Sequence, residues 1–259
     1  NVGVIFEQPP RIICFRASDG EFVEDFRFTE DPDHPFQRLS RVVHRGTSFV
    51  TYASDITQDS DGMRITGRIM RFDEAGTFLG QCDSLGFEFS FAKPVVRERY
   101  DLMWAVGPDG RVYINRDRDY GFTVHGNDCG IKHRFARGYE PVKRSTAELD
   151  SLREFYRRVG NMGDAKLELL ENARDIAWLS ADDAGRLWVL SSRGRLNLPA
   201  DSLAFFDVFD SRGRLECMVE MKAERGDRDW YHMDRDRFFV VHRETMSLVA
   251  FEMPKLIRQ

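Results

Sequence analysis

A short unit recurs along the chain: an apolar run, a turn that contains glycine, and a second apolar run. Strong copies surround Gly20, Gly76 and Gly213, and a weaker copy surrounds Gly130. A second kind of hairpin, with a glycine turn between tryptophan-containing runs, occupies residues 104–113 and 178–188. Repeated hairpins of this kind are typical of radial or stacked β architectures. The pattern therefore predicts an all-β fold and says little about activity.

The spacing of the turn glycines sets the size of the repeat. Gly20, Gly76 and Gly130 are separated by 56 and 54 residues, close to the ~40–50 residues of a four-stranded propeller blade. In the third unit Phe87, Phe89 and Phe91 alternate with polar residues, which predicts a half-buried strand. We predict a single β-propeller domain over residues 1–259, built of four-stranded antiparallel blades. Its repeats are predicted at residues 1–30 (partial), 36–82, 86–139, 165–221 and 228–253.

One helix interrupts the repeat, and we predict it at residues 145–159. Ser145 followed three residues later by Glu148 forms a capping box. Apolar residues then fall on one helical face, where they are expected to pack against the β body: Leu149, Leu152, Phe155, Tyr156 and Val159. The opposite face carries Asp150, Arg153, Glu154, Arg157 and Arg158.

Composition excludes several classes of protein. The net charge of −5 is mild and both signs are mixed along the chain, which argues against nucleic acid as an obligate partner. No run of 18 apolar residues occurs, so we expect no transmembrane helix. The opening residues also lack the basic segment of a signal peptide.

The four cysteines lie beside turns of different repeats: Cys14, Cys82, Cys129 and Cys217. A disulfide needs Cα atoms within about 7 Å, a distance that strands of different blades rarely offer. We therefore predict four unpaired thiols, which leaves the redox compartment open. Cys129, next to a turn glycine, is interpreted as a turn-adjacent thiol and not as a nucleophile.

No residue pattern predicts a catalytic, cofactor or metal site. A metal held in a propeller channel would need carboxylate, amide and imidazole ligands, and the candidates are Asp55, Asn115, Asp117, His125 and Asp175. No spacing rule places them together, and Asp and Asn also favour turns for local reasons. The six histidines show no metal-binding spacing and are interpreted as structural: His34, His44, His125, His133, His232 and His242. Asp59 to Gly62 is interpreted as a tight hairpin turn, since it lacks the later glutamate of a calcium loop.

Residues from about Leu102 onward carry a set of short motifs in a fixed order. They are Trp104 to Asn115 followed by Tyr120, Arg137 to Val142 before the helix, Asp183 to Val189, and Phe206 to Asp210. In this order the chain resembles bacterial six-bladed β-propeller proteins related to the NHL repeat group. The resemblance implies a six-bladed propeller and an exported, periplasmic location. With about four and a half repeats the chain is short for that ring, so missing blades upstream or a smaller or open ring are the alternatives.

The repeat and the lack of a reactive constellation together favour a non-enzymatic binding or scaffold module. We expect it to be an accessory or structural subunit of an extracytoplasmic or membrane-associated assembly, without a cofactor. Departures from the repeat are the expected protein contacts: the helix and the loops at Thr29–Pro35 and Arg193–Asp201. The alternative is a metal-dependent hydrolase or lyase, of lactonase type, with its site in the central channel.

Overall fold

A computed structural model describes residues 2–90, 102–159, 168–196, 198–199, 201–223, 226, 229–234, 237–242 and 245–253. Across these residues the secondary structure is almost entirely β. The strands, in chain order, are β1 (Val2–Phe6), β2 (Arg11–Phe15), β3 (Phe22–Phe26), β4 (Arg38–Arg45), β5 (Ser48–Gln58), β6 (Gly62–Asp73), β7 (Phe78–Ser90), β8 (Met103–Val106), β9 (Val112–Asn115), β10 (Gly121–His125), β11 (Ile131–Ala136), β12 (Ile176–Ala181), β13 (Leu187–Ser191), β14 (Ser202–Phe209), β15 (Leu215–Lys222), β16 (Trp230–Asp234), β17 (Arg237–His242) and β18 (Ser247–Glu252). Two helices accompany them, α1 (Thr146–Val159) and α2 (Arg193–Leu196).

The strands form five separate sheets in which sequence neighbours are also spatial neighbours. Three sheets have four strands, β4 to β7, β8 to β11 and β12 to β15, and two have three strands, β1 to β3 and β16 to β18. The registered pairs run antiparallel, as where Ala105 lies opposite Tyr113. The prediction of an all-β chain of antiparallel propeller-type blades is confirmed. The six-blade expectation is wrong, since the described residues form five blades, and two of these lack a fourth strand.

The predicted blade boundaries need one correction. Phe87 and Phe89 belong to β7, the last strand of the second blade, and not to the third unit that was predicted to begin at residue 86. Phe91 lies outside the described residues. The error arose because β6 and β7 are unusually long, at 12 and 13 residues, so the hairpin runs past the expected end of its repeat.

The hairpin turns owe their shape to an aspartate and a glycine. In the turn after β12, Oδ1 of Asp182 accepts the N–H groups of Ala184 at 3.0 Å and Arg186 at 2.9 Å. Gly185 takes φ 79°, a left-handed conformation that side chains disfavour. Its other oxygen, Oδ2, accepts the Arg186 Nε–H at 2.7 Å and the buried indole N–H of Trp188 at 2.9 Å. One side chain thus closes the turn and ties it to the core.

The same device closes other turns. Oδ1 of Asp210 accepts the N–H groups of Arg212 and Arg214 at 2.8 and 2.9 Å. Asp73 holds the N–H groups of Ala75 and Thr77 at 2.9 and 2.7 Å. The repeated Asp-x-x-Gly pattern in the sequence is therefore a turn-closing motif.

Contacts divide the described residues into two compact units. The first comprises those within Asn1–Leu102, His125–Lys132 and Arg144–Glu171, and the second those within Met103–Val124, His133–Lys143 and Asn172–Gln259. The first has an apolar core around Phe72, Leu39 and Met70. The second has two buried clusters, one around Tyr113 and Phe209 and one around Trp188 and Phe238. The single domain over residues 1–259 stays a prediction.

The predicted helix is confirmed as α1, and its capping box is formed. The Ser145 N–H donates to Oε2 of Glu148 at 2.8 Å, and the Glu148 N–H donates to Oγ of Ser145 at 3.2 Å. The expected packing of its apolar face is only partial: none of residues 146–158 is buried, and Phe155 is 37% exposed. Amphipathic spacing predicts which face of the helix is less exposed to solvent, but it does not ensure that this face packs against a hydrophobic core.

The prediction of four unpaired thiols is wrong. Cys82 in β7 and Cys129 in the turn between β10 and β11 form a disulfide, with Cα atoms 4.3 Å apart, whereas Cys14 and Cys217 are free. Gly80 of β7 lies beside this bridge. A Cβ built on Gly80 would lie 3.8 Å from Cβ of Cys129. The two cysteines do lie in different blades, but strand β7 and the turn between β10 and β11 contact each other at this point.

Replacing Asp182 with Ala should lower the free energy of unfolding by about 2–4 kcal/mol. The variant loses two backbone hydrogen bonds and leaves the indole N–H of Trp188, which is 0% exposed, without its acceptor. Urea denaturation followed by tryptophan fluorescence measures the loss. Asp73→Ala is the matched control, because Asp73 closes its turn through backbone groups alone, and it should cost only about 1 kcal/mol. Equal losses in the two variants would contradict the role given to Trp188.

Replacing both Cys82 and Cys129 with Ser should lower the free energy of unfolding by about 4 kcal/mol. The bridge closes a loop of 47 residues, and the figure follows from the chain entropy released when such a loop opens. Denaturation of the oxidised protein and of the double variant gives the difference. A Cys14→Ser and Cys217→Ser variant is the control and should change stability by less than about 1 kcal/mol, because both thiols are free and only half-buried. Two free thiols must also titrate in the wild type under denaturing, non-reducing conditions, and four would refute the bridge.

Candidate functional site

The connections that lack an Asp-Gly turn lie at one end of the β8 to β11 and β12 to β15 sheets. Successive connections of an antiparallel meander alternate between the two ends of the sheet. The Asp-Gly turns at 107–111, 182–186 and 210–214 therefore lie at one end of their sheets. The connections at 116–120 and 192–201 lie at the other end, where β11 also leaves its sheet. Irregular loops on a rigid sheet scaffold are where binding residues concentrate.

A set of polar side chains from these connections interlocks in the second unit, and we call it the rim cluster. Its members are Asn115, Asp117, Arg118, Asp119, Tyr120, Arg137, Tyr139, Arg174, Asp175, Ser192, Arg193 and Asp207. Three of the five metal-ligand candidates from the sequence, Asn115, Asp117 and Asp175, belong to it. Asp55 and His125 belong to the first unit.

Asn115 acts as an internal strut of the rim cluster. Its side chain is fully buried, and its Nδ2 group donates to the carbonyl oxygens of Asp119 at 2.9 Å and Gly121 at 2.8 Å. Nη2 of Arg174 donates to Oδ1 of Asn115 at 2.7 Å and to the carbonyl oxygen of Asp117 at 3.3 Å. The amide oxygen that a metal would need is thus occupied by a guanidinium group.

A buried ion pair joins the two sheets within this unit. The hydroxyl of Tyr120 donates to Oδ2 of Asp207 at 2.6 Å, and Nη1 of Arg137 lies 2.6 Å from the same oxygen. Burial, together with the neighbouring Asp207 carboxylate, raises the pKa of the Tyr120 phenol far above its ordinary value. The hydrogen bond to Asp207 raises the pKa of Arg137 above its ordinary value. The phenol and the guanidinium therefore both stay protonated as donors to one carboxylate.

The outer part of the rim cluster exposes an aromatic and an arginine. The backbone N–H of Arg193 donates to the hydroxyl of Tyr139 at 2.7 Å, and its guanidinium carbon lies 5.3 Å from the centre of that ring. The ring of Tyr139 in turn lies 5.2 Å from the ring of Tyr120. Arg193 also reaches Oε2 of Glu140 at 3.3 Å. Tyrosine and arginine held in one conformation are the residue types that anchor protein interfaces.

Asp175 is an acid of the rim cluster that is buried without a hydrogen bond to its carboxylate from the described residues. It is only 7% exposed, and its carboxylate has no hydrogen-bond partner among the described residues. Burial raises the pKa of Asp175 above its ordinary value, the neighbouring Asp119 carboxylate adds to this, and the Arg118 guanidinium opposes it. A buried carboxyl with a raised pKa is a candidate proton donor.

A pocket of about 370 Å³ opens on the side of the β9, β10 and β11 strands. Phe122 and Phe135, whose ring centres lie 4.9 Å apart, form part of its lining, and Asp117 and Asp119 lie at its charged margin with Arg116 and Arg134. The lining mixes both signs of charge, so it does not select an anion or a cation by charge alone.

The remaining sequence candidates have local structural roles. Oδ1 of Asp59 accepts the N–H groups of Asp61 and Gly62, both at 2.9 Å, as the tight-turn interpretation requires. The Nδ1–H of His125 donates to the carbonyl oxygen of Cys129 at 2.8 Å. His242 contacts the buried Asp229 at 2.9 Å. Within the described ranges, no group of three or more His, Cys, Asp or Glu side chains is arranged to hold a metal ion.

Sequence reasoning missed Arg174, Arg137 and Asp207. Asp207 carried a usable signal, since it is a charged residue inside the apolar run Leu203–Phe209, where a buried partner is required. Its partners Tyr120 and Arg137 lie 87 and 70 residues away in the chain, so spacing could not identify them. Arg174 gave no comparable signal, because arginine is common beside aspartate in this chain.

No known family model matches the sequence. Nor does any functionally characterised protein match it. Among solved structures, an acylaminoacyl peptidase is similar over 85% of this chain and 32% of its own, with 13% identity and a TM-score of 0.40. A streptogramin B lyase is similar over 95% of this chain and 62% of its own, with 9% identity and a TM-score of 0.36. The β-propeller domain of the Trilobed protease from Pyrococcus furiosus is similar over 85% and 56%, with 12% identity and a TM-score of 0.37.

The chain thus spans less than two thirds of each of these three proteins. Likeness at this level transfers neither an activity nor a substrate. The resemblance to the NHL repeat group gains no support, because no family model matches.

Replacing Asp175 with Asn should stabilise the protein at neutral pH, with a gain that disappears in acid. The folded pKa of Asp175 lies above the unfolded value of about 3.9, so between these two values the folded protein binds more protons than the unfolded one. Wild-type stability therefore falls as pH rises through this window, whereas the variant has no proton to lose. The free energy of unfolding, measured in urea from pH 3 to pH 8, should show the difference growing above about pH 3.9 and then levelling.

Asp119→Asn is the control for this titration. Removing the neighbouring negative charge should narrow the pH window over which Asp175→Asn gains stability. If the difference in free energy of unfolding between wild type and Asp175→Asn did not vary with pH, the pKa of Asp175 would not be raised in the folded protein.

Proposed function

We propose that this protein is a non-enzymatic binding module that docks a protein partner through the rim cluster and helix α1. The observation that carries the proposal is that several polar side chains of the rim cluster hold one another in place. Arg174 holds Asn115, and Arg137 and Tyr120 hold Asp207. A surface fixed in this way loses little side-chain entropy when it binds, which favours recognition over chemistry.

The exposed part of the rim supplies contact groups. Arg193 keeps 55% of its side chain exposed while its guanidinium rests on Tyr139, and Glu140 is 89% exposed. Arg116 and Asp117 are also exposed beside the pocket. The half-buried apolar face of α1, with Phe155 at 37% exposure, offers a second contact surface. The helix and Arg193 lie in the segments predicted from the sequence as departures from the repeat, whereas Arg116, Asp117, Tyr139 and Glu140 lie outside them.

The setting that we propose is an extracytoplasmic or membrane-associated assembly. The Cys82–Cys129 bridge supports an oxidising compartment, because disulfides persist there and are rare in the cytosol. None of the helices that the structure describes is long and apolar enough to cross a membrane. The NHL-type resemblance of the motifs in residues 102–210 supports the same location.

The alternative, a hydrolase or lyase, has one observation in its favour. Asp175 is a buried carboxyl whose pKa is raised, and the neighbouring Asp119 lines a pocket. A metal-dependent form is disfavoured at this position, because the guanidinium of Arg174 occupies Oδ1 of Asn115 and Arg118 lies beside Asp175. Elemental analysis of the purified protein, and assays against lactone and ester substrates, would separate the two functions: turnover that is lost in Asp175→Asn favours the enzyme.

Replacing Arg153, Arg157 and Arg158 together with Gln should leave folding intact and weaken partner association at least fivefold. Among the residues that the structure describes, these arginines pair within the helix, with Asp150 at 2.6 Å and with Glu154 at 2.7 and 2.8 Å, so their loss costs little stability. The partner is identified by cross-linking of the tagged protein and mass spectrometry. Its affinity for each purified variant is then measured by titration calorimetry.

Arg116→Ala with Arg193→Ala tests the rim in the same assay. Arg27→Gln is the control, since this exposed arginine belongs to neither surface and should bind normally. Unchanged affinity in both the helix and the rim variants would overturn the proposed function.

A further inference from the structure

The last sheet has an open edge where the preceding sheet of the same unit is covered. In the sheet β12 to β15, the third strand β14 is paired on its outer side by β15. In the sheet β16 to β18, the third strand is β18, and no described strand pairs with its outer side. Its outward backbone N–H and C=O groups are therefore available to another strand.

Without a described strand on its outer side, β18 leaves an inward-facing apolar side chain exposed to solvent. Val249 of β18 lies opposite Val240, on the sheet face that packs into the core, where Val240 is 0% exposed. Val249 itself is 38% exposed. The corresponding side chains of β14, Ala204, Phe206 and Val208, are at most 1% exposed. They are covered because β15 places Met221, Val219 and Cys217 opposite them.

The other three-stranded sheet has a protected edge, which makes it an internal comparison. In β3, Glu24 lies opposite Cys14, which packs against the core of the first unit. An inward-pointing charge at an edge strand blocks the addition of a further apolar strand. Residues 247–251 of β18 carry no charge and no proline. The two edges are alike in strand number and differ in this protection.

We propose that β18 accepts an antiparallel β-strand from a protein partner. The occupant is an extended segment of about six residues that carries apolar side chains at alternate positions, as β15 does beside β14. Main-chain hydrogen bonds would hold it, and its apolar side chains would cover Val249 and Phe251. The proposal rests on the proposed binding function and names the element by which the partner docks.

A second copy of the chain fits this edge less well. Self-pairing of β18 would give one short strand contact, which is small beside the ~1,200 Å² that stable contacts between folded proteins bury. With Val249 opposite Phe251 of the other copy, the same register puts Glu252 opposite Leu248. An unstructured peptide needs only the strand itself, because it brings no second rigid surface that must also fit.

The probe is a peptide with the sequence of the chain's own covering strand, Leu215–Lys222, in which serine replaces Cys217 and both ends are capped. We expect saturable binding to the whole protein by fluorescence anisotropy. Backbone N–H groups of a strand point alternately to either side, so N-methylation at one alternate set of residues should weaken binding at least tenfold and at the other set should not. Equal effects of the two methylated peptides would indicate non-specific apolar adhesion and would overturn the proposal.

Val249→Glu copies onto β18 the protection that Glu24 gives β3, and it should weaken peptide binding at least tenfold. Val23→Glu is the matched control, because Val23 lies on β3 and is 40% exposed against 38% for Val249. The control should bind the peptide as the wild type does. Circular dichroism and urea denaturation must show both variants folded. Wild-type binding by Val249→Glu would overturn the proposal.

Two further outcomes identify a different occupant. If the wild type dimerises with concentration and Val249→Glu does not, a second copy pairs with β18 and the proposal fails. If the β18 amides of the monomer exchange as slowly as those of β14, another part of the chain already covers the edge, and the proposal again fails. Partner association that survives Val249→Glu but is lost in the rim or helix variants would reject strand addition alone. The proposed function would then stand.

Discussion

The structure depends on an aspartate that accepts hydrogen bonds from its own turn. A hairpin turn leaves backbone N–H groups with no strand partner, and a carboxylate two residues earlier in the chain satisfies two of them at once. At Asp182 and Asp210 the second oxygen also holds an arginine of the same turn. Because the turn geometry is fixed, the register of the two strands is fixed as well. The β4 to β7 and β12 to β15 sheets both use this device, at Asp73, Asp182 and Asp210.

The tight turns at one end of the β8 to β11 and β12 to β15 sheets have similar sequences, whereas the connections at the other end differ in sequence from one another. The tight turns need aspartate and glycine and tolerate little else, whereas the connections at 116–120 and 192–201 have no common pattern. In the second unit those variable connections are held by long-range polar contacts instead. Tyr120 and Arg137 share Asp207, and Arg118 donates to the carbonyl oxygen of Asn172 at 2.7 Å. We expect the partly buried Arg137–Asp207 ion pair to contribute more to a unique conformation than to net stability.

The sequence could predict what local chemistry decides. Turn glycines located the hairpins, and the capping box located α1, because each depends on residues within about four positions. The Cys82–Cys129 bridge and the length of β7 could not be predicted, since both depend on how neighbouring strands meet. Of the rim cluster, the sequence singled out Asn115, Asp117 and Asp175, and only as candidate metal ligands. Their arginine neighbours, Arg174 beside Asn115 and Asp117 and Arg118 beside Asp175, lie 57 to 59 residues away in the chain, and no spacing rule reaches that far.

The two three-stranded sheets show how one architecture can leave one edge inert and the other receptive. Judged by strand number alone, both β3 and β18 would be able to pair with a further strand, because, among the described strands, each exposes a row of unpaired backbone N–H and C=O groups. Glu24 changes that on β3, because an added strand would have to desolvate its carboxylate. No such cost opposes a strand beside β18, where Val249 and Phe251 gain burial instead. An edge of this kind can bind a partner strand through main-chain hydrogen bonds, which depend little on the partner's sequence. The rigid rim can then supply specificity, because it contacts the partner's side chains.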